Sequence, residues 1–289
     1  MLKDQWYRVK DKAKLITPAL LIYPERVKQN IESMIAISGD VNRLIPHVKT
    51  YKMSSVVKLQ MSYGIKEFKC ATLGELQMLI SCRVKHILFA IQPTREKLIR
   101  ILEAQKQYPE ISFSTLVDNE DSLTLFSNLA ETQNQKINLW LDINNGMNRT
   151  GVVTKSAPEL YMKIYNDHNI SAKGIHVYDG HIRPKNLQQR IDQCNIDFQP
   201  VMELIAEIQN LGGEVPEKIT AAISREKGCL GCHEGIEEIR EQGSMMLMQT
   251  KIIGKVNGDP NGCVTCHGGN PKGLTAKEAH QGAPKNLAN

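Results

Sequence analysis

Residues 1–222 predict an α/β fold, a TIM-type barrel, and three observations lead there. Short apolar, β-branched runs alternate with longer segments whose apolar residues recur every three or four positions. The strand-then-helix unit repeats six times, the pattern of parallel strands joined by right-handed crossovers. That many units favour a barrel over an open doubly wound sheet. Residues 223–289 shift to Gly- and Pro-bearing stretches such as "GKVNGDPNGC" and "HGGNPKG", which predict a small irregular segment of helix and loop.

The strand candidates, in order, are "ALLIY" (19–23), "RLIPHV" (43–48), "EFKCAT" (67–72), "HILFAI" (86–91), "ISFSTLV" (111–117), "INLWLDI" (137–143), "KGIHVYD" (173–179) and "KITAAI" (218–223). Between them "SSVVKLQMSYG", "LGELQMLISC", "TREKLIRILEAQKQ", "NEDSLTLFSNLAETQ", "APELYMKIYNDH" and "NLQQRIDQCNIDFQPVMELIAEIQNLGG" carry helical periodicity.

The charge of +5, from 36 Lys+Arg against 31 Asp+Glu, is spread along the chain without the clustered basic stripe of a nucleic-acid binder. No nucleic acid is expected. No apolar run reaches the ~18 residues needed to cross a bilayer, and "MLKDQWYRVKDKAKL" lacks the apolar core of a secretory signal, which predicts a cytoplasmic protein without a membrane span.

Barrel enzymes place reacting groups at the C-terminal ends of strands. Lys49, Cys70 to Thr72, Asp142 to Gly151, and Tyr178 to His181 all fall there. In "IPHVKTYK", Lys49 stands among apolar neighbours and near His47 and Lys52, and both desolvation and a nearby cation favour the free amine that Schiff-base chemistry needs. A lone lysine of this kind is ordinarily a surface residue. His176 shares a strand face with Tyr178 and is expected to be a packed core histidine, and Asp142 is expected to orient a neighbour.

The motifs "TPALLIY", "RLIPHVKTYK", "CATLGE", "LDINNGMNRTGV" and "GIHVYDGH" occur in the order and spacing of the D-threonine aldolase and D-serine dehydratase-like proteins. The chain from about residue 15 to 221 thus resembles the alanine racemase-like, fold type III, pyridoxal 5'-phosphate enzymes. The resemblance implies that Lys49 forms the Schiff base, that Arg149 faces the cofactor ring, and that Tyr178 and His181 line the substrate side. It further implies lyase chemistry on a D-amino acid, with His181 as the base that takes a β-hydroxyl proton, and a homodimer.

In the family a Gly-rich phosphate-binding turn, a further strand and a β domain follow; here "AISREKGC" follows "KITA". The expectation is therefore an incomplete TIM-type (alanine racemase-like) barrel with unpaired edges, in which retaining Lys49 does not by itself imply retained activity.

In the second segment, "CLGCH" (229–233) and "CVTCH" (263–267) match Cys-x-x-Cys-His, the signature of covalent haem c attachment. Cys229, Cys232, Cys263 and Cys266 would bind the porphyrin, and His233 and His267 the iron. A four-cysteine zinc site is the alternative, although 30 residues between Cys232 and Cys263 exceed ribbon spacing. Residues 225–289 resemble the opening of a multihaem cytochrome c, which implies His280 as a sixth ligand and an electron-transfer partner. Haem c is attached outside the cytoplasm, so the two segments demand different compartments. Three readings follow: a pyridoxal-phosphate enzyme with a redox appendage, a cytochrome on an inactive barrel, and a chimera of two fragments without joint function.

Overall fold

The computed structural model describes residues 9, 11–184, 186–214 and 218–221. Cys229, Cys232, His233, Cys263, Cys266, His267 and His280 lie outside the described residues.

Seven parallel strands form one sheet: β1 (Glu67–Cys70), β2 (His86–Phe89), β3 (Ser112–Val117), β4 (Ile137–Asn144), β5 (Val152–Val153), β6 (Ile170–Val177) and β7 (Lys218–Ala221). Their order is β1-β2-β3-β4-β6-β7, with β5 paired to the end of β4. Helices α1 (Pro24–Ser38), α2 (Ser54–Ser62), α3 (Leu73–Ser81), α4 (Arg95–Gln107), α5 (Glu120–Gln133), α6 (Ala157–Asn166) and α7 (Leu187–Asn210) complete the units. This curved, all-parallel arrangement is a half-barrel.

Two expected strands do not form. "ALLIY" stays outside the sheet, with Leu20 77% exposed, because Pro24 opens α1 at the next residue with its preset φ. "RLIPHV" shrinks to a single bridge, His47 with Lys69, because Pro46 has no N–H to extend a ladder. Pro46 O instead accepts from Lys69 N–H at 2.8 Å, and Val48 N–H donates to Lys69 O at 2.9 Å.

The strands are buried on both faces, which explains their nearly unbroken apolar runs. Phe68, Cys70, Ile87, Phe89 and Phe113 pack outward with Leu76, Leu79 and Ile101 of the helices. Leu139, Leu141, Ile143, Ile175 and Val177 do the same with Phe126, Leu160 and Leu204. The inward face carries Leu88, Leu116 and Trp140, with a polar chain beside them. Trp140 Nε1–H donates to Ser114 Oγ at 3.1 Å, His86 Nε2 lies 2.7 Å from the same oxygen, and His86 Nδ1 lies 3.2 Å from Glu67. Lys218 pairs with Glu67, linking the edge strand β7 to the edge strand β1.

"CATLGE" is explained by capping rather than chemistry. Thr72 Oγ1 accepts from Glu75 N–H at 3.2 Å, and Glu75 folds back to accept from Ala71 N–H at 2.9 Å, the reciprocal arrangement that starts a helix. Cys70 is fully buried, and burial pushes its thiol far up, which makes it inert.

Candidate functional site

The C-terminal mouth of the half-barrel gathers three residues from distant parts of the chain. Lys49 lies in the turn after the His47 bridge, Tyr178 follows β6, and Arg149 sits in the loop after β4. Lys49 Nζ is 5.7 Å from the centroid of the Tyr178 ring, and the Arg149 guanidinium is 5.2 Å from the same centroid. Both cations are within reach of the ring's electron-rich face.

The loop that presents Arg149 is folded by its own amides. Asn144 Oδ1 accepts from Gly146 N–H at 3.1 Å and from Asn148 N–H at 3.0 Å. Asp118 Oδ2, from the end of β3, accepts from Gly151 N–H at 2.9 Å. Gly151 has φ +98°, and a Cβ there would lie 2.5 Å from Asn144 N, so glycine is required for the chain to turn back onto β4. Asp118, Asn144, Asn148, Arg149, Thr150 and Gly151 surround an open cavity of about 390 Å³.

Below the mouth, His176 and Asp142 face inward from neighbouring strands in register, and His176 Nδ1 lies 2.6 Å from Asp142 Oδ1. His176 is thus engaged with a carboxylate inside the half-barrel rather than merely packed, as its sequence position suggests. Burial lowers its imidazole below the ordinary range, against the pull of Asp142. His47 is lowered to about 4 by burial, with the charge of Lys49 adding to it, so it stays neutral, and its Nδ1 accepts from Lys49 N–H at 3.2 Å.

Lys49 itself is exposed, so the apolar environment its sequence neighbours suggest is not what surrounds it. The reason is local: Val48 packs, fully buried, against the helices with Phe68 and Cys70, and the next residue, in the turn, faces the open mouth. The more shielded amine is the half-buried Lys69, on β1. Burial first, then the charge of Lys49, hold it down at about 8. Strand alternation was the available signal, since Lys69 shares the parity of inward-facing Glu67.

His181 stands to one side of this group. Its Nε2 lies 2.9 Å from Asp197 Oδ2 of α7, and its Nδ1 is buried with no hydrogen-bond partner among the described residues. Gln193 Nε2–H donates to the second oxygen of Asp197 at 2.6 Å. Gly146 leaves room for the ring: a Cβ there would meet His181 Nε2 at 2.6 Å. Asp197 carried no sequence signal, because a carboxylate in a helix of mixed polarity reads as a solvated face. Burial raises Asp179, two residues before His181.

A ring-bearing aldehyde that is also an anion needs an amine to form an imine, a flat partner and a cation. Lys49, Tyr178 and Arg149 supply that donor set in one place, and the orphaned Nδ1 of His181 marks a further polar atom awaiting a partner. The described residues fit such a group. Among them no helix is long and apolar enough to cross a membrane.

Comparison with known proteins agrees with this architecture. The chain is 24% identical over 230 residues to D-threo-3-hydroxyaspartate dehydratase of Delftia sp. (strain HT23), a match that covers 79% of this chain and 53% of that protein. Among solved structures, D-threonine aldolase from Filomicrobium marinum superposes with a TM-score of 0.66 at 23% identity, covering 73% of this chain and 57% of the other. Alanine racemase of Clostridium difficile 630 gives 0.57 at 12% identity, covering 68% and 50%. The chain therefore spans about half the length of the relatives it matches. The family model described as alanine racemase, N-terminal domain, matches residues 22–225, more than half of the chain, and the chain belongs to that family.

Proposed function

We propose that residues 1–222 bind pyridoxal 5'-phosphate through Lys49 and act as a lyase on a D-amino acid that carries a β-hydroxyl group. The observation that carries this reading is the placement of Lys49 Nζ and the Arg149 guanidinium on one aromatic ring, Tyr178, at the mouth of a parallel half-barrel. D-threonine aldolase and D-threo-3-hydroxyaspartate dehydratase, the two relatives named above, support the substrate class.

When bound, pyridoxal phosphate supplies a conjugated ring that withdraws electrons from the Cα of an amino acid. The chain's own residues do the rest. Lys49 would offer the amine, and Arg149, stacked on Tyr178, would face the ring and orient it. His181 holds the proton balance: with Asp197 accepting from Nε2–H, the lone pair is left on Nδ1, the atom that would take the proton of the substrate hydroxyl in a retro-aldol cleavage to glycine. Asp142 keeps His176 in place beneath the site.

The test is to incubate the full chain with pyridoxal phosphate and D-threonine or D-threo-3-hydroxyaspartate and follow glycine or oxaloacetate. Product that disappears in Lys49→Ala supports the reading; no product from either amino acid counts against it.

A second reading concerns residues 223–289, and the two Cys-x-x-Cys-His motifs favour it. We propose that Cys229, Cys232, Cys263 and Cys266 attach two haem c groups, with His233, His267 and His280 on iron, when the chain is matured outside the cytoplasm. Reducible Soret and α bands that vanish in the paired variant Cys229→Ala, Cys263→Ala support it. Bound zinc in place of haem would overturn it.

A further inference from the structure

The half-barrel interior holds a lysine besides those of the mouth. Lys69 is half-buried and faces inward with Glu67, opposite to the outward Phe68 and Cys70. Both of its backbone groups are tied to the segment that carries Lys49, through Pro46 O and Val48 N–H. Its position relative to Lys49 is therefore set by main-chain bonds and not by side-chain packing.

The side chain of Lys69 makes no hydrogen bond or ion pair with any described residue. An ammonium partly withdrawn from water, with no protein acceptor, is left to take an anionic one. The carboxylates around it are already committed. Asp142 Oδ1 holds His176 Nδ1 at 2.6 Å, Glu67 holds His86 and Lys218, and Glu75 holds Ala71 N–H and Lys52. Lys49 and Asp142 are the two charged groups that act on the Lys69 amine, so it lies in electrostatic reach of the mouth as well as of the His176 pair. Held at about 8, the amine is still mostly protonated at neutral pH.

We propose that Lys69 anchors an anionic oxygen of the ligand that Lys49 engages. This inference rests on the pyridoxal-phosphate reading. The oxygen is either the phenolate of the cofactor ring or the carboxylate of the amino acid, and both offer the acceptor that the protein withholds. A cation tied by main-chain bonds to the segment that carries the imine-forming amine supplies orientation at the reacting end of the ligand, in addition to Arg149.

Two probes that cannot form an imine separate the sources: 4'-deoxypyridoxine 5'-phosphate, which has the phenolate but no aldehyde, and D-lactate, which has a carboxylate but no amine. In the full wild-type chain, competitive acetylation read by peptide mass spectrometry reports whether each probe shields Lys69, without any substitution. Titration calorimetry of Lys69→Met and Lys69→Arg follows. Shielding by the pyridoxine probe, with binding weakened about 10- to 100-fold in Lys69→Met and largely restored in Lys69→Arg, assigns the phenolate. The same pattern with D-lactate alone assigns the carboxylate. Probes that bind wild type and Lys69→Met equally, and leave Lys69 open to acetylation, overturn the proposal. If neither probe binds while borohydride still traps pyridoxal phosphate on Lys49, the anchor is refuted and the cofactor reading stands. If trapping also fails, both fall.

Discussion

Lys218 at the start of β7 donates to Glu67 at the start of β1, so the two edges of an open half-barrel are tied across its floor by one ion pair. The same carboxylate meets His86, and from there the contacts run through Ser114 to the indole of Trp140. The edges of a sheet are its weakest part, and among the described residues a part-buried polar chain links two edge strands that share no ladder.

Burial pushes Glu67 up, but His86 and Lys218 outweigh it, and the carboxyl is held at about 2 against an ordinary 4.5. A carboxylate depressed in the folded state stabilises above its unfolded value, and that contribution is lost as pH falls from about 4.5 through about 2. Glu67→Gln is expected to lower stability at pH 7 by about 1–2 kcal/mol, after allowance for partial exposure, and to flatten the acid loss across that window. Urea unfolding at several pH values checks both.

Ser114 is 2% exposed and serves two partners at once. Ser114→Ala leaves the Trp140 N–H and one His86 nitrogen without partners in the interior. The expected cost is about 1–3 kcal/mol, read from the urea midpoint.

Gly151→Ala tests the loop. The added Cβ would clash with Asn144 N and with Ile143 C, 2.6 Å away, at a φ that side chains rarely adopt. A loss of about 1–3 kcal/mol is expected, together with weaker cofactor binding because Arg149 leaves Tyr178. Cofactor affinity unchanged in a destabilised variant would separate the loop from the site.

Asp197 fixes which nitrogen of His181 carries the proton. Asp197→Asn is expected to lower kcat about 100-fold with little change in KM, and to move the His181 tautomer seen by nitrogen NMR. A fall in kcat with the tautomer unmoved would contradict the assignment.

Much of this was legible in the sequence, for physical reasons. Parallel strands buried on both faces read as unbroken apolar runs, so "HILF", "SFSTLV" and "INLWLDIN" stand out without ambiguity. Strand ends on a barrel point to one mouth, which places Lys49, the 142–151 segment and Tyr178 at one end, while Arg149 within that segment is picked out by the family resemblance. The first two runs misled because Pro24 and Pro46 act on backbone hydrogen bonding, which apolar periodicity does not register. α1 escaped notice for the same reason, its Pro24 start lying directly against an apolar run. Lys69 and Asp197 differ: alternation gives the inward face of Lys69 but not which partners packing leaves for it, and Asp197 reads as a solvated helix face.

On the proposed function, Lys49 is the amine that engages an aldehyde cofactor at the half-barrel mouth. Adding pyridoxal 5'-phosphate to the full chain, reducing with borohydride and mapping the peptides tests it directly. The account predicts one stoichiometric pyridoxyl group on the peptide containing Lys49, absent in Lys49→Ala. A label scattered over surface lysines, or fixed on another residue in wild type, would contradict it.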